Sequence, residues 1–261
     1  MLLPSLLLAL LLPGPVRGAG DPPVKYKLES KNTIVMDLSS VGQGSQEIAT
    51  SMVAFLTLTM SDTTGGRMAH VVVDSGKFDG GEMMAMLPDS MTKVKPGTAF
   101  HFLIKNGKVD NSLTPQEMGA EGVNMTTSQI LPAMMMLFPS QGRTLTVGTT
   151  WVDTNKVDTT VTTGTDGSTA HTNTASITTW TVSGKSGDDF LLDAALTGTT
   201  LIAVMGNEVQ GKVTGTERLT VSPAGVVRTA TGENRTQMTM AMGANSIETS
   251  VVQSTTVVAL P

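Results

Sequence analysis

The chain has 261 residues, a formal net charge of −5 and only 15% charged side chains, and it contains no cysteine. The absence of cysteine excludes disulfides and a lipid-bearing N-terminal Cys, so a hydrophobic core must hold the fold, and a chain of this length can build one. The acidic balance, without any cluster of Lys and Arg, argues against nucleic acid as a partner, because phosphate contacts need clustered basic side chains.

Residues 1–20 have the order of a secretory signal peptide. A Leu-rich run from Leu2 to Leu12 is followed by Pro, Gly and other small residues, as in the apolar and cleavage regions of an export signal. The run is too short to span a bilayer, which takes about 20 residues. We therefore expect a mature chain that begins near Ala19 or Asp21, is periplasmic or extracellular and does not span a membrane. An N-terminal membrane anchor is the alternative.

Residues 21–261 are expected to form a single β-rich domain, whose N-terminal half is 21–138. Apolar and polar residues alternate along this half, which is typical of half-buried strands. Asn106-Gly107 is the strongest hairpin signal in the chain. The predicted strands of this half are 24–38, 46–60, 67–78, 99–105 and 108–111.

Two Met-rich segments break the strand pattern. In residues 82–93 the Met side chains recur at mixed helical offsets, and residues 115–138 begin with a Thr cap followed by Pro. Pro88 and Pro132 interrupt these segments. We expect two short helical insertions that cover the concave face of a sheet.

Residues 130–151 are interpreted as a hinge, after which a Thr-rich pattern of long strands and turns predicts a six-stranded meander over 151–261. We expect Trp151 to be buried where the sheet resumes. The predicted strands are 151–164, 168–182, 188–205, 208–222, 226–242 and 246–260. Strands this long curl into a strongly twisted sheet or a barrel. The expected fold class is mainly β (α+β): a large curved antiparallel sheet or half-barrel meander with two short helical insertions.

The sequence shows no catalytic constellation. His70, His101 and His171 fall on three different predicted strands, with no histidine or carboxylate at ligand spacing. Neither a Cys nucleophile nor a Gly-x-Ser-x-Gly motif occurs, and Gly184-Lys185-Ser186 lies in a predicted hairpin turn. We expect no enzymatic activity and no cofactor.

Methionine is unusually frequent, with 18 residues, and is concentrated in the two helical segments. Its unbranched side chain adapts to irregular apolar partners. Two interpretations stay open: gap-filling core under the sheet, or a soft apolar pocket for a lipid-like ligand. The candidate ligand-binding residues are Met83, Met84, Met86, Met134, Met135, Leu137 and Phe138.

Met238, Met240 and Met242 alternate along one predicted strand. Alternation directs all three thioethers to the same face, at a spacing that suits Cu(I). Copper binding is therefore a remote alternative function, against inward packing of the three side chains.

Short motifs along the mature chain carry a resemblance to known proteins. They are Val24-Lys25-Tyr26, Leu131-Pro132 with Phe138-Pro139, the strand start Val147-Gly148-x-x-Trp151 and the Thr-rich meander. With the signal peptide, this resembles an uncharacterised family of secreted bacterial proteins, which implies no activity. The architecture is also similar, more loosely, to periplasmic lipoprotein carriers, half-barrels with helices over an apolar cavity. The chain lacks the aromatic lining expected of such a cavity.

Two functions follow from this pattern. One is an exported, non-enzymatic protein that binds a lipid or small apolar ligand between the sheet and the Met-rich helices. The other is a structural or interaction protein whose sheet meets a protein partner in the cell envelope. A closed cavity would favour the first, and a filled core with an exposed edge or apolar patch the second.

Overall fold

The computed structural model describes residues 21–80, 96–105, 108–109, 130, 133–139, 143–162, 169–204, 207–242 and 245–261. Over these residues, eleven strands form one antiparallel sheet. The strands are β1 (Val24–Asp37), β2 (Ser45–Thr63), β3 (Gly66–Asp79), β4 (Ala99–Lys105), β5 (Lys108–Val109), β6 (Thr150–Thr162), β7 (Thr169–Ser186), β8 (Asp189–Val204), β9 (Asn207–Val221), β10 (Val227–Met242) and β11 (Asn245–Ala259). A 3-10 turn at Ser39–Val41 connects β1 to β2.

The first and last strands of the chain pair in the middle of the sheet. The strand order is β5-β4-β3-β2-β1-β11-β10-β9-β8-β7-β6, and Leu28 of β1 lies opposite both Ala54 of β2 and Val257 of β11. The two halves of the sequence therefore share one sheet. The prediction of a mainly β, antiparallel fold is confirmed.

The strands β5 and β6 lie at the two ends of the strand order and do not pair with each other, so the sheet is open. These two strands are consecutive in the described part of the chain, so residues 110–149 must cross from one edge to the other. Ten inter-strand spacings of about 4.8 Å make that distance roughly 48 Å along the sheet. The described part of this connection includes residues 133–138, which pack against the sheet.

One face of the sheet, here called the inner face, carries the core. Tyr26 and Leu28 on β1 are almost fully buried, whereas the intervening Lys27 points to the opposite, outer face and pairs with Glu29. The same alternation places further buried apolar side chains of the other strands on the inner face. Each fully buried Leu or Val side chain contributes roughly 1.5–3 kcal/mol to stability. The largest inner-face side chains with less than 2% exposure are Tyr26, Leu28, Met52, Leu56, Val71, Phe100, Phe102, Leu192 and Leu219.

The two expected helical insertions are not seen as such. Residues 82–93 lie outside the described residues. Of the second insertion, Ile130 and residues 133–135 are helical, and the turn closes with i+3 hydrogen bonds that end at Phe138. Pro139 explains the ending, because proline lacks an N–H and disfavours helical geometry in the residue before it. Over the described ranges, the structure holds no helix with the length and hydrophobicity needed to cross a bilayer.

Candidate functional site

Ile130 and residues 133–138, here called the covering segment, lie on the inner face. The ring of Phe138 is 5.3 Å from that of Phe102 on β4. A Cβ placed on Gly232 of β10 would lie 3.1 Å from Cε of Met136. In a flat sheet, β4 and β10 would be about 24 Å apart. One helical turn contacts both strands, so the sheet must curl around the covering segment.

A cluster around two stacked tryptophans holds the start of β6 against β7. Trp151 is 9% exposed, which confirms its predicted burial, and its ring stacks on Trp180 of β7 at 6.0 Å. Nε1 of Trp151 donates to Asp153 Oδ2 at 3.0 Å, and the Arg143 guanidinium lies 5.3 Å above the Trp151 ring. Arg143 also pairs with Asp153 at 3.5 Å. Nε of Arg143 is buried without a hydrogen-bond partner among the described residues, but the ring stacking, the Trp151–Asp153 hydrogen bond and the Arg143–Asp153 ion pair together hold the start of β6 in place.

Two rows of polar side chains cross the inner face next to the buried core. We call them the polar band. The strand register aligns the members of each row across β9, β10, β11, β1 and β2. The first row contains Glu217, Thr255 and Ser30, and the second contains Asn234, Gln253, Asn32 and Thr50. Only Ser30 and Thr255 are fully buried, so the band marks the border of the core.

Several polar atoms of this band have no partner within the described structure. Nε2 of Gln253 donates to Ser30 Oγ at 3.3 Å. By contrast, Asn234 Oδ1 and Thr50 Oγ1 are buried and accept or donate no hydrogen bond among the described residues. A buried polar group without a partner costs about 1–3 kcal/mol. Such atoms are therefore candidates for contact with a ligand.

Glu217 is the one acidic member of the polar band. It lies on β9 between Ala194 of β8 and Gly232 of β10, neither of which offers a polar side chain. Within the described residues it forms no hydrogen bond or ion pair. Burial raises the pKa of Glu217 to about 7. Cγ of Glu217 and Cε of Met136 both approach the space above Gly232, at 3.2 and 3.1 Å from a Cβ placed there.

Beyond the polar band, the inner face is mainly apolar again, with Thr200, Thr236 and Thr249 between its apolar side chains. We call this region the apolar zone. Its side chains are half-buried, in contrast to the fully buried core on the other side of the band. The zone extends over the far ends of β1, β2 and β8–β11. Its members are Ile34, Met36, Ile48, Ile202, Val209, Val213, Met238, Met240 and Val251.

The structure divides the predicted ligand residues into three groups. Met134, Leu137 and Phe138 are buried in the core, with exposures of 0%, 1% and 6%. Met135 is half-buried at its margin. The others, Met83, Met84 and Met86, lie outside the described residues, so their part in a site stays a prediction.

Met238 and Met240 share the inner face, whereas the side chain of Met242 lies outside the described part of the structure. Cγ of Met238 lies 2.7 Å from a Cβ placed on Gly211, so this side chain covers a glycine of β9. Packing thus accounts for Met238 without a metal ion. No group of three or more His, Cys, Asp or Glu that could hold a metal occurs over the described ranges.

His70 and His101, which are far apart in the sequence, are neighbours in the sheet. His70 of β3 lies directly opposite His101 of β4, and their rings stack with centroids 4.6 Å apart. Burial, and secondarily the charge of His101, lower the pKa of His70. The pairing register between β3 and β4 creates this contact, and the sequence did not reveal that register.

Two open depressions lie on the outer face rather than under the covering segment. The larger, about 650 Å³, runs across β8–β11, and most of its lining side chains point outward. Among them, Arg218 Nε donates to Asp193 Oδ1 at 2.9 Å, and the others are mainly Thr, Ser and Glu. The smaller, about 310 Å³, includes Lys31, Ser51 and Asp79. Both depressions are open and are lined mainly by polar residue types, unlike the predicted apolar pocket.

Comparison with known proteins gives little further guidance. No family model and no curated protein matches the chain. Among solved structures, the chain is similar to one of lipovitellin that concerns lipid–protein interactions, with 10% sequence identity and a TM-score of 0.43. The similarity covers 92% of this chain but 25% of that one, so the chain spans about a quarter of that protein's length. A similarity at this level establishes neither a shared fold nor a shared ligand.

Proposed function

We propose that the protein is an exported, non-enzymatic binding protein that holds a lipid-like or other apolar ligand against the inner face of its sheet. The apolar zone is the observation that carries this proposal. It offers half-buried apolar side chains, interleaved with Thr200, Thr236 and Thr249, on the same face as the covering segment. Apolar surface that stays partly exposed is typical of ligand and partner sites.

The chemistry of the apolar zone suits an adaptable ligand. Met238 and Met240 present flexible, polarizable thioethers, which fit apolar partners of different shapes. The backbone beneath these two methionines is a hydrogen-bonded antiparallel sheet. The binding surface therefore combines a rigid backbone with flexible side chains.

Uptake of the neutral fluorescent probe Nile red tests the proposal. Met240→Glu places a charge in the apolar zone and should weaken probe binding at least about tenfold, since burial of an unpaired charge costs more than the roughly 1.4 kcal/mol to which that factor corresponds. Thr239→Glu is the matched control, because Thr239 is the preceding residue of β10 and is exposed on the outer face. If the unmodified protein takes up no probe and carries no lipid from its host by native mass spectrometry, the proposal fails.

The edge of the sheet at β6 supports a second candidate function, that of an interaction protein of the cell envelope. Val152 and Ile177 are 52% and 49% exposed on the outer faces of β6 and β7, and Val147 nearby is 51% exposed. An edge strand beside exposed apolar side chains favours pairing with another protein. An envelope interaction protein would therefore self-associate or bind a partner through this edge. Val152→Lys together with Ile177→Lys should then abolish complex formation in sedimentation velocity without changing Nile red uptake.

A further inference from the structure

Glu217 and Asn234 are diagonal neighbours on the inner faces of the paired strands β9 and β10. Glu217 lies opposite Gly232, and Asn234, two residues further along β10, lies opposite Gly215. Asn234 Oδ1 is buried without a hydrogen-bond partner within the described residues, and desolvation alone acts on the Glu217 carboxyl, with no hydrogen bond or charge beside it. A Cβ placed on Gly215 would collide with Asn234 Oδ1, so the glycine makes room for the amide.

These acceptors lie at the border between two apolar surfaces. On one side, Leu219 and Leu192 are fully buried in the core. On the other side, Val213 and Met238 begin the apolar zone, and the zone extends four residues further along β9 from Val213 to Val209, about 13 Å. A ligand with its tail on the apolar zone would therefore place its polar end at the polar band.

The identity of the free atoms limits the chemistry of that polar end. A carboxylate and an amide oxygen are acceptors, so they select a group that donates hydrogen bonds. An ammonium group donates three and also neutralises the carboxylate, whereas a fatty-acid carboxylate would meet like charge.

Resting on the function proposed above, we propose that the ligand is an amphiphile with an amine head group, which Glu217 and Asn234 bind while its tail covers the apolar zone. Glu217 supplies the charge, and Asn234 Oδ1, which is buried against Gly215 in the unliganded protein, supplies a second acceptor when its side chain turns toward the ligand. The raised pKa of Glu217 agrees with a carboxyl that lacks a cation in the unliganded protein.

No other charged group faces Glu217 from the elements packed against it in the described structure. The inner-face side chains of β8 around it are Leu192, Ala194 and Leu196, and those of β10 are Ala230 and Asn234. The covering segment contributes Met136. On the inner face, Arg143 and Asp153 belong to the cluster at the start of β6, three strands or about 14 Å away.

Displacement of bound Nile red by dodecylamine, dodecanol and dodecanoate tests the head-group preference. At pH 8, where the amine is protonated and Glu217 is ionised, dodecylamine should bind at least about tenfold more tightly than dodecanol, and dodecanoate most weakly. In the Glu217→Gln variant, dodecylamine should bind no more tightly than dodecanol. Glu233→Gln, which removes the same charge from the exposed outer face of β10, should leave the preference unchanged.

The unmodified protein provides a second measurement that needs no variant. Between pH 8 and pH 6, protonation of Glu217 should remove most of the preference for dodecylamine over dodecanol. If Nile red binds but the three compounds displace it equally, or if Glu217→Gln retains the amine preference, the amine proposal is overturned while the apolar site stands. If Nile red does not bind at all, the proposed function fails and the amine proposal with it.

Discussion

The indole rings of Trp151 and Trp180 stack 6.0 Å apart across β6 and β7, with an interplanar angle of 14°. The pair closes the inner face near the sheet edge, where β6 has a neighbour on one side only. Both rings are more than nine-tenths buried. Trp151→Ala should therefore lower the unfolding free energy by about 3–5 kcal/mol. Urea denaturation measures this loss. Val152→Ala, on the exposed outer face, is the control and should change stability by about 0.5 kcal/mol or less. A loss below about 1 kcal/mol for Trp151→Ala would contradict the stacking.

The strands were predictable because a period of two residues is a local signal. Apolar side chains at every second position predicted β1 over 24–38, and the strand is Val24–Asp37. The same signal placed the C-terminal strands within a few residues of their observed bounds. Alternation also puts Glu217 on the side of Leu219 and Val221, so the sequence already showed an acid on an apolar face.

Contacts between distant parts of the chain were not predictable in this way. The pairing of Tyr26 with Ala259 joins the two ends of the domain, and no local pattern specifies a partner strand. The stacking of His70 on His101 depends on the register between β3 and β4, which a pattern within one strand does not specify. The polar band is likewise a product of register across five strands, so single-strand patterns did not reveal it.

Gly198 provides a test of the close approach between β7 and β8. A Cβ at this position would lie 2.5 Å from the carbonyl oxygen of Ala175 and 2.9 Å from Cα of Ser176. Both are backbone atoms, which do not move aside without shifting a strand. Gly198→Ala should therefore cost about 1–3 kcal/mol of unfolding free energy. Gly44→Ala is the control, because a Cβ there meets nothing within 4 Å. Equal stability of the two variants in urea would show that β7 and β8 are not packed as described.

The pH dependence of stability should report Glu217. Its pKa is raised from 4.5 to about 7 by burial, so between these pH values the folded protein binds more protons than the unfolded chain. This group therefore lowers the unfolding free energy as pH rises through that window, by about 1.4 kcal/mol for each pKa unit. The Glu217→Gln variant has no carboxyl at this position and should not lose stability in this way. It should therefore be more stable than the unmodified protein at pH 8, whereas at pH 4.5 it should not be.

The contribution of other carboxylates cancels in that comparison. Asp193, whose pKa is lowered by hydrogen bonds from Ser183 and Arg218, contributes the opposite slope at lower pH in both proteins. Glu233→Gln, on the outer face, serves as the control and should follow the pH profile of the unmodified protein. Parallel profiles for Glu217→Gln and the unmodified protein between pH 5 and pH 8 would show that Glu217 is not desolvated in the folded state.

The signal-like N-terminus gives a prediction about the mature protein. We expect cleavage within residues 1–20, so that the chain in its own host begins near Ala19 or Asp21. The Leu-rich run followed by small residues is the physical basis, because export machinery reads an apolar segment and cleaves after small side chains. N-terminal sequencing of protein from the extracytoplasmic fraction measures this. Recovery of a chain that still begins with Met1 would contradict it.

The contact between Phe102 and Phe138 tests whether the covering segment is docked on the sheet in solution. Their ring centroids are 5.3 Å apart and tilted by 46°, and both side chains are buried. A double-mutant cycle with Phe102→Leu and Phe138→Leu should give a coupling energy of about 0.5–1.5 kcal/mol, since leucine keeps most of the apolar volume and removes the aromatic pair.

A matched cycle separates this contact from general loosening of the core. Phe100 stacks beside Phe102 with centroids 6.5 Å apart but has no ring contact with Phe138 among the described residues. Phe100→Leu combined with Phe138→Leu should therefore be additive within about 0.5 kcal/mol. If the Phe102–Phe138 cycle is equally additive, the covering segment is not held against β4, and the apolar surface open to a ligand would extend from the apolar zone across the polar band into what the structure shows as core.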